Sequence, residues 1–210
     1  MSILMLGISM LALFGTVIVL PIYVQNVLHQ QPLVVGLLLL PGGLIMGLLG
    51  PLVGRLYDRF GPRPLLIPGS IVLSLVFFSL TMLNENTPVY FVLIAHVVLS
   101  LGLAFLFTPL FTAGTGALPP HLYSHGSATI ATLQQVAGAA GTAMFIAFLA
   151  VGTAAAGADS AAAATAGETA AGVRLAFMAG AIVSLGAVAV SFFVRRPDHA
   201  EITDEALAPH

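Results

Sequence analysis

The chain is a succession of long apolar runs broken by short polar turns, and six of the runs reach membrane-spanning length. Crossing a hydrocarbon core of about 30 Å at about 1.5 Å per residue takes about 20 apolar residues in a helix, because lipid offers the backbone no other hydrogen-bond partners. The runs predict spans over 3–27, 33–53, 65–83, 89–110, 127–151 and 173–194. The fifth is the most polar and the richest in small residues. The first lacks a basic leader, and its apolar stretch is longer than that of a secretory signal. The fold class is therefore all-α, a polytopic bundle embedded in the lipid bilayer. Residues 152–172, almost all Ala, Gly, Ser and Thr, predict an external loop with room for a helical extension of the fifth span. Residues 195–210, with Pro197 and four acids, predict a disordered cytoplasmic tail.

Arginine sets the orientation, since each Arg at the bilayer centre costs about 3 kcal/mol and loop Arg is retained in the cytoplasm. Arg55, Arg59 and Arg63 follow the second span and Arg195 and Arg196 the sixth, so alternating crossings put these five on one side and Arg174 on the other. Both termini are expected in the cytoplasm, the whole being a multi-pass protein of the plasma (inner) membrane. Composition agrees with burial in lipid. Hydrophobic residues make up 59% of the chain and charged residues 7%, against about 25% charged in a soluble domain. The net charge of -2 is scattered, which argues against a nucleic-acid partner. Cysteine is absent, excluding thiolate metal sites and cysteine nucleophiles. No H-E-x-x-H, P-loop or G-x-S-x-G pattern supports an enzyme. His121 and His125 are four apart but have no third metal ligand nearby, so no metal or cofactor is expected.

The strongest local signal is the stretch from Gly54 to Arg63, placed by the span boundaries in the tight connection between the second and third spans. Glycines suit a turn, and Asp58 among arginines suits charge-assisted pairing. On spacing alone, a positive-inside loop with an incidental acid fits equally well. The stretch resembles the loop signature of the major facilitator superfamily, G-x-L-x-D-R-x-G-R-K, through Gly54, Leu56, Asp58, Arg59, Gly61 and Arg63. Pro62 departs from it, replacing the first basic residue after the second glycine. Leu40-Pro41-Gly42, Pro109, Leu118-Pro119-Pro120, Gly126-Ser127-Ala128 and Gln134-Gln135-x-x-Gly138-x-x-Gly141 are similar to the later spans of the drug:proton antiporter branch with about fourteen spans.

That resemblance implies the C-terminal six-span half of a transporter, built as two inverted three-helix repeats. It implies secondary active efflux of drug-like or amphipathic small molecules, with protons as the coupling ion and a missing N-terminal half, or a second copy, as partner. Pro21 and Pro109, 88 residues apart, and Gly36 and Gly126, 90 apart, are faint marks of the repeat. The alternative is a truncated six-span bundle with an assembly role and no transport of its own.

Two small-residue faces are legible without any family. Gly43, Gly47, Gly50 and Gly54 share one face of the second span; Ala128, Ala131, Gly138 and Thr142 share one face of the fifth, interrupted by Gln135 and followed by Gly141. Packing within the bundle and docking on the other half are both open. Ser9, Thr16 and Tyr23 recur every seventh position along the first span, while His96, Ser100 and Thr108 fall at multiples of four in the fourth. Hydroxyls bonding back to their own helix would account for such stripes. In the family, however, the first and fourth spans of each half face the substrate path. His96 is the one ionisable side chain well inside a predicted span, either a neutral group bonded to a neighbouring helix or a group handling substrate or protons.

Overall fold

The computed structural model describes residues 1–116, 122–161 and 163–194. Their regular elements are six helices: α1 (Ser2–Asn26), α2 (Pro32–Phe60), α3 (Arg63–Leu80), α4 (Val89–Gly116), α5 (Tyr123–Ala155) and α6 (Ala166–Ser191). All six are long and apolar enough to cross a membrane. Prolines fall where they cost least at two starts, in the first turn of α2 and of α3, where an N–H would lack a helical partner anyway. Pro21, Pro41, Pro51, Pro68 and Pro109 lie inside helices, a placement lipid-buried helices tolerate.

The helix ends depart from the hydropathy boundaries in ways that have local causes. α2 runs on to Phe60, seven residues past 53, so Gly54 to Phe60 form its last two turns and only Gly61 and Pro62 connect it to α3. The signature is thus mainly helical rather than a loop. Charged residues ended the apolar run but do nothing to break backbone hydrogen bonds; Gly61 does, with φ at +80° and its N–H on the Tyr57 carbonyl at 2.8 Å. α6 starts at Ala166, seven residues before 173, so the end of the expected 152–172 loop is helix. Its start is set by a capping box. The Thr165 hydroxyl accepts from the Glu168 N–H, and the Glu168 carboxylate accepts from the Thr165 N–H at 2.7 Å. α5 gains residues at both ends, α4 runs past 110, and α3 stops at Leu80 rather than 83. The expected tail at 195–210 lies outside the described residues.

The packing is crossed. The first helix of each triplet lies on the second helix of the other, α1 on α5 and α4 on α2, while α3 meets α4 and α6 meets α1. That exchange is the pattern a two-fold axis in the membrane plane makes between inverted repeats. One departure is that α5 packs extensively on α6, whereas α2 barely touches α3. The core is keyed by Phe77 of α3, Phe145 of α5 and Phe177 of α6, all fully buried, with ring centroids 5.8 to 5.9 Å apart. Glycines make room for these rings: a methyl group on Gly180 would lie 2.5 Å from Phe145, and one on Gly15 would also strike that ring. Backbones approach closely where glycines face each other, at Gly69 with Gly102 (α3 on α4) and Gly152 with Gly172 (α5 on α6), and where Gly141 of α5 meets Leu11 of α1.

Candidate functional site

The signature segment has three working parts. Val53 and Tyr57, buried on the inner side of α2, form a small apolar cluster with Leu65 of α3, against which Leu49, Leu56 and Phe105 pack. Gly54 stands beside α4, where an added methyl group would be 4.0 Å from Thr108 Cγ2. Asp58 and Arg59 are exposed, and the Arg59 guanidinium lies 5.1 Å from the centre of the Phe60 ring. Gly61 makes the reversal, and Pro62 is buried as the residue preceding α3. Arg63 Nε then donates to the Val194 carbonyl at 3.0 Å, pinning the turn to the end of α6. Arg63, the first residue of α3, thus joins the α2–α3 turn to the segment that follows α6, a contact no spacing rule predicts.

The polar stripe of α1 does not face open space. Ser9 and Thr16 are fully buried and donate to the Met5 and Ala12 carbonyls at 2.9 and 2.8 Å. Tyr23, also buried, donates to the Asn84 carbonyl at 2.7 Å and so staples α1 to the α3–α4 connection. Ser100 donates to the His96 carbonyl at 2.8 Å, and both side chains are buried where α4 meets Gly42 of α2. Thr108 is half-buried and borders a cleft.

The glycines divide differently from their spacing. A methyl group on Gly43, Gly47 or Gly50 would meet nothing within 4 Å, so this stripe makes no close helix approach within the chain. Gly42, one position away, is the residue that α4 covers. On α5 the small positions do pack inside: a methyl group on Gly138 would lie 2.8 Å from the Phe14 ring, and Gly141 lies on the Leu11 backbone of α1. Ala128, Ala131 and Gln135 are exposed. No hydrogen bond joins the Gln135 amide to another described residue, and its side chain borders a groove along α5.

What the structure assembles is a cleft of about 350 Å³ between α1, α4 and α5, lined by Met10, Phe107, Thr108, Phe111, Thr112 and Gln134. A broader groove of about 500 Å³ continues along α1 and α5 past Phe14, Gln135, Ala139 and Thr142. Aromatic and thioether walls adapt to apolar bodies, while hydroxyls and carboxamides fix a few polar atoms. The lining contains no charged side chain. Apart from Thr108, Gln135 and Thr142, sequence reasoning did not place these residues on a path; Gln134 entered it only through the family likeness, in the pair Gln134-Gln135 of an otherwise apolar span. His125 is exposed near the start of α5, and His121 lies outside the described residues.

Residues 1–142 match the Major Facilitator Superfamily. The chain belongs to the major facilitator superfamily. Its relatives include the lincomycin resistance protein LmrB of Listeria innocua, 41% identical over 152 residues, which are 72% of this chain and 32% of that protein. The uncharacterized MFS-type transporter YcnB of Bacillus subtilis is 35% identical over 185 residues, 88% of this chain and 38% of that protein. The superfamily fold is seen directly in the proton:xylose symporter XylE bound to 6-bromo-6-deoxy-D-glucose, which superposes with a TM-score of 0.65 over 93% of this chain and 44% of that one, at 16% identity. The chain therefore spans about a third of the length of the curated relatives it matches. It is a multi-pass membrane polypeptide of this superfamily.

Proposed function

We propose that the chain is the C-terminal six-helix half of a secondary active exporter of drug-like or amphipathic small molecules, coupled to protons. The observation that carries the reading is the uncharged, aromatic and hydroxyl-bearing cleft between α1, α4 and α5. A relative named for resistance to lincomycin supports export as the direction. The partner is a further six-helix half or a second copy of this chain, with the substrate held between the two. Transport follows by rocking one half against the other about a site near the midplane. In the plasma membrane, the α2–α3 turn and both termini face the cytoplasm, because the loop arginines are retained there.

The glycine stripe of α2 and the exposed face of α5 belong to the sliding contact with the other half. Only 17% of the α2 span and 28% of the α5 span are buried, against 44% to 50% for the other four helices. The exposed side of α5 at Thr129, Thr132 and Gln135 is too polar to suit lipid alone.

The cleft is tested in the assembled transporter by Gln134→Leu, which removes a carboxamide from the lining without changing its bulk greatly. The expected result is a several-fold shift in relative transport between a neutral amphipathic substrate and a more polar one, with membrane insertion unchanged. An unaltered substrate profile would remove the cleft from the pathway. Asp58→Asn tests the signature. A carboxylate on the last turn of α2 contributes charge-dependent contacts in one gating state more than in the other. Neutralising it is expected to slow transport several-fold at unchanged surface abundance. Unchanged kinetics in reconstituted vesicles would leave Asp58 a structural residue.

A further inference from the structure

The centre of the α2–α4 crossing contains a buried imidazole seated in a glycine notch. A methyl group built on Gly42 would lie 2.5 Å from His96 Nε2 and 2.7 Å from its Cδ2, and would also strike Ser100 Oγ. Gly42 follows Pro41, which has no N–H to give the Leu37 carbonyl and therefore marks the natural bending point of α2. The Leu39 carbonyl of α2 lies close to the ring. The other nitrogen, Nδ1, is buried without any hydrogen-bond partner. Ser100 does not satisfy it, since its hydroxyl is committed to the His96 carbonyl at 2.8 Å.

We propose that His96 is a proton-binding site that latches α2 to α4 when neutral and releases α2 when protonated. A neutral ring fits the notch beside Gly42 with no charge to balance. A second proton, on Nδ1, adds a donor where the ring has no hydrogen-bond partner and a charge that no carboxylate on the surrounding helices balances. The groups on the surrounding elements make this concrete. α1 carries no Asp, Glu, Lys or Arg, and its titratable side chain, Tyr23, is bonded to Asn84. On α2 the charged residues are Arg55, Asp58 and Arg59, the nearest about 20 Å from Gly42 along the helix, and Tyr57 lies among them. α3 offers only Arg63 at its first residue, α4 itself only Tyr90 near its start, and α5 only Tyr123 and His125 near its own. A protonated ring is thus relieved only by water, and water enters only if α2 moves away. α2 is free to do so, being the least buried of the six helices and held chiefly by α4. A helix bent at Pro41 and freed by one proton couples proton uptake to the position of the α2 face, which deepens the transporter reading and rests on it for its biological meaning.

The chain has no cysteine, so two introduced cysteines carry spin labels cleanly. Leu48→Cys on α2 and Ile94→Cys on α4 are suitable, both side chains being more than half exposed. Pulsed electron paramagnetic resonance on the full chain in lipid nanodiscs is expected to show one short separation at about pH 8 and a second, longer one at about pH 5, on either side of the histidine range. His96→Gln, which keeps a polar side chain beside the Leu39 carbonyl but cannot be charged, is expected to hold the short separation at both values. Gly42→Ala is expected to give the longer separation at both, because its methyl group occupies the notch. The proposal is overturned if the unsubstituted chain shows no pH-dependent separation, if His96→Gln responds to pH in the same way, or if Gly42→Ala stays short at high pH. The measurement reads helix separation and not transport, so failure of the latch and failure of the exporter reading are distinguishable.

Discussion

Phe145→Ala is expected to destabilise the bundle by about 3–5 kcal/mol, the largest loss from any single side chain in the core. Its ring is fully buried on α5, touches Phe77 of α3 and Phe177 of α6 at centroid distances of 5.9 and 5.8 Å, and fills the space left by Gly15 of α1 and Gly180 of α6. Four helices therefore meet on one side chain. Lipid tails are as apolar as phenylalanine, so burial away from water gives little of this; close packing and edge-on ring contacts give most of it. The surrounding backbone cannot collapse into the void, because Gly15 and Gly180 carry no side chains to repack. The midpoint of thermal unfolding in detergent, compared with Phe145→Leu, is the check. Leu keeps most of the volume and is expected to recover more than half of the loss. An Ala variant within about 0.5 kcal/mol of the parent, the range of an ordinary surface substitution, would mean that the three rings do not key the helices.

That core was only partly legible in the sequence, and the reason is geometric. Hydropathy finds spans because each run answers to lipid by itself, and arginines orient them for the same reason. Contacts between spans answer to a partner that one helix's spacing does not reveal. Methyl groups on Gly43, Gly47 and Gly50, which have the regular spacing expected of a packing face, would meet nothing within 4 Å, whereas methyl groups on Gly69 and Gly102, which belong to no such stripe, would lie 3.1 and 3.2 Å from the other glycine's carbonyl oxygen. The stripes on α1 mislead similarly. A hydroxyl every seventh residue identifies a side of the helix, but Ser9 and Thr16 satisfy themselves on their own carbonyls and fit a closed core as well as an open path. Helix ends were misjudged where hydropathy stood in for hydrogen bonding. Thr165 and Glu168 spell a capping box that places the start of α6, and Gly61 spells the stop of α2; both were readable as backbone chemistry and invisible as hydropathy. The cleft was least legible because it is lined from three helices, and its residues become neighbours only when α1, α4 and α5 meet.

The chain reconstituted alone is expected to show no substrate accumulation driven by a pH gradient, against clear accumulation by the assembled transporter. Coupled transport needs a proton site whose occupancy changes between states and a path that opens to one side at a time. This chain supplies candidates for the first and only part of the second. Asp58 is exposed on the last turn of α2, Glu85 and Asp159 are exposed in connections, and Glu168 caps α6, so none of these carboxylates lies at membrane depth along the cleft. His96 lies at depth but faces α2 rather than the cleft lined by Met10, Thr108 and Gln134. A proton there can move a helix, yet without an opposing surface the cleft is open along its whole length and nothing keeps substrate from leaving by the way it came. Purified chain in liposomes with an imposed pH gradient and a fluorescent amphipathic substrate gives a direct answer. Accumulation that collapses with the gradient and is lost in His96→Gln would show that copies of this chain close a path between themselves, and that six helices suffice for both halves of the cycle.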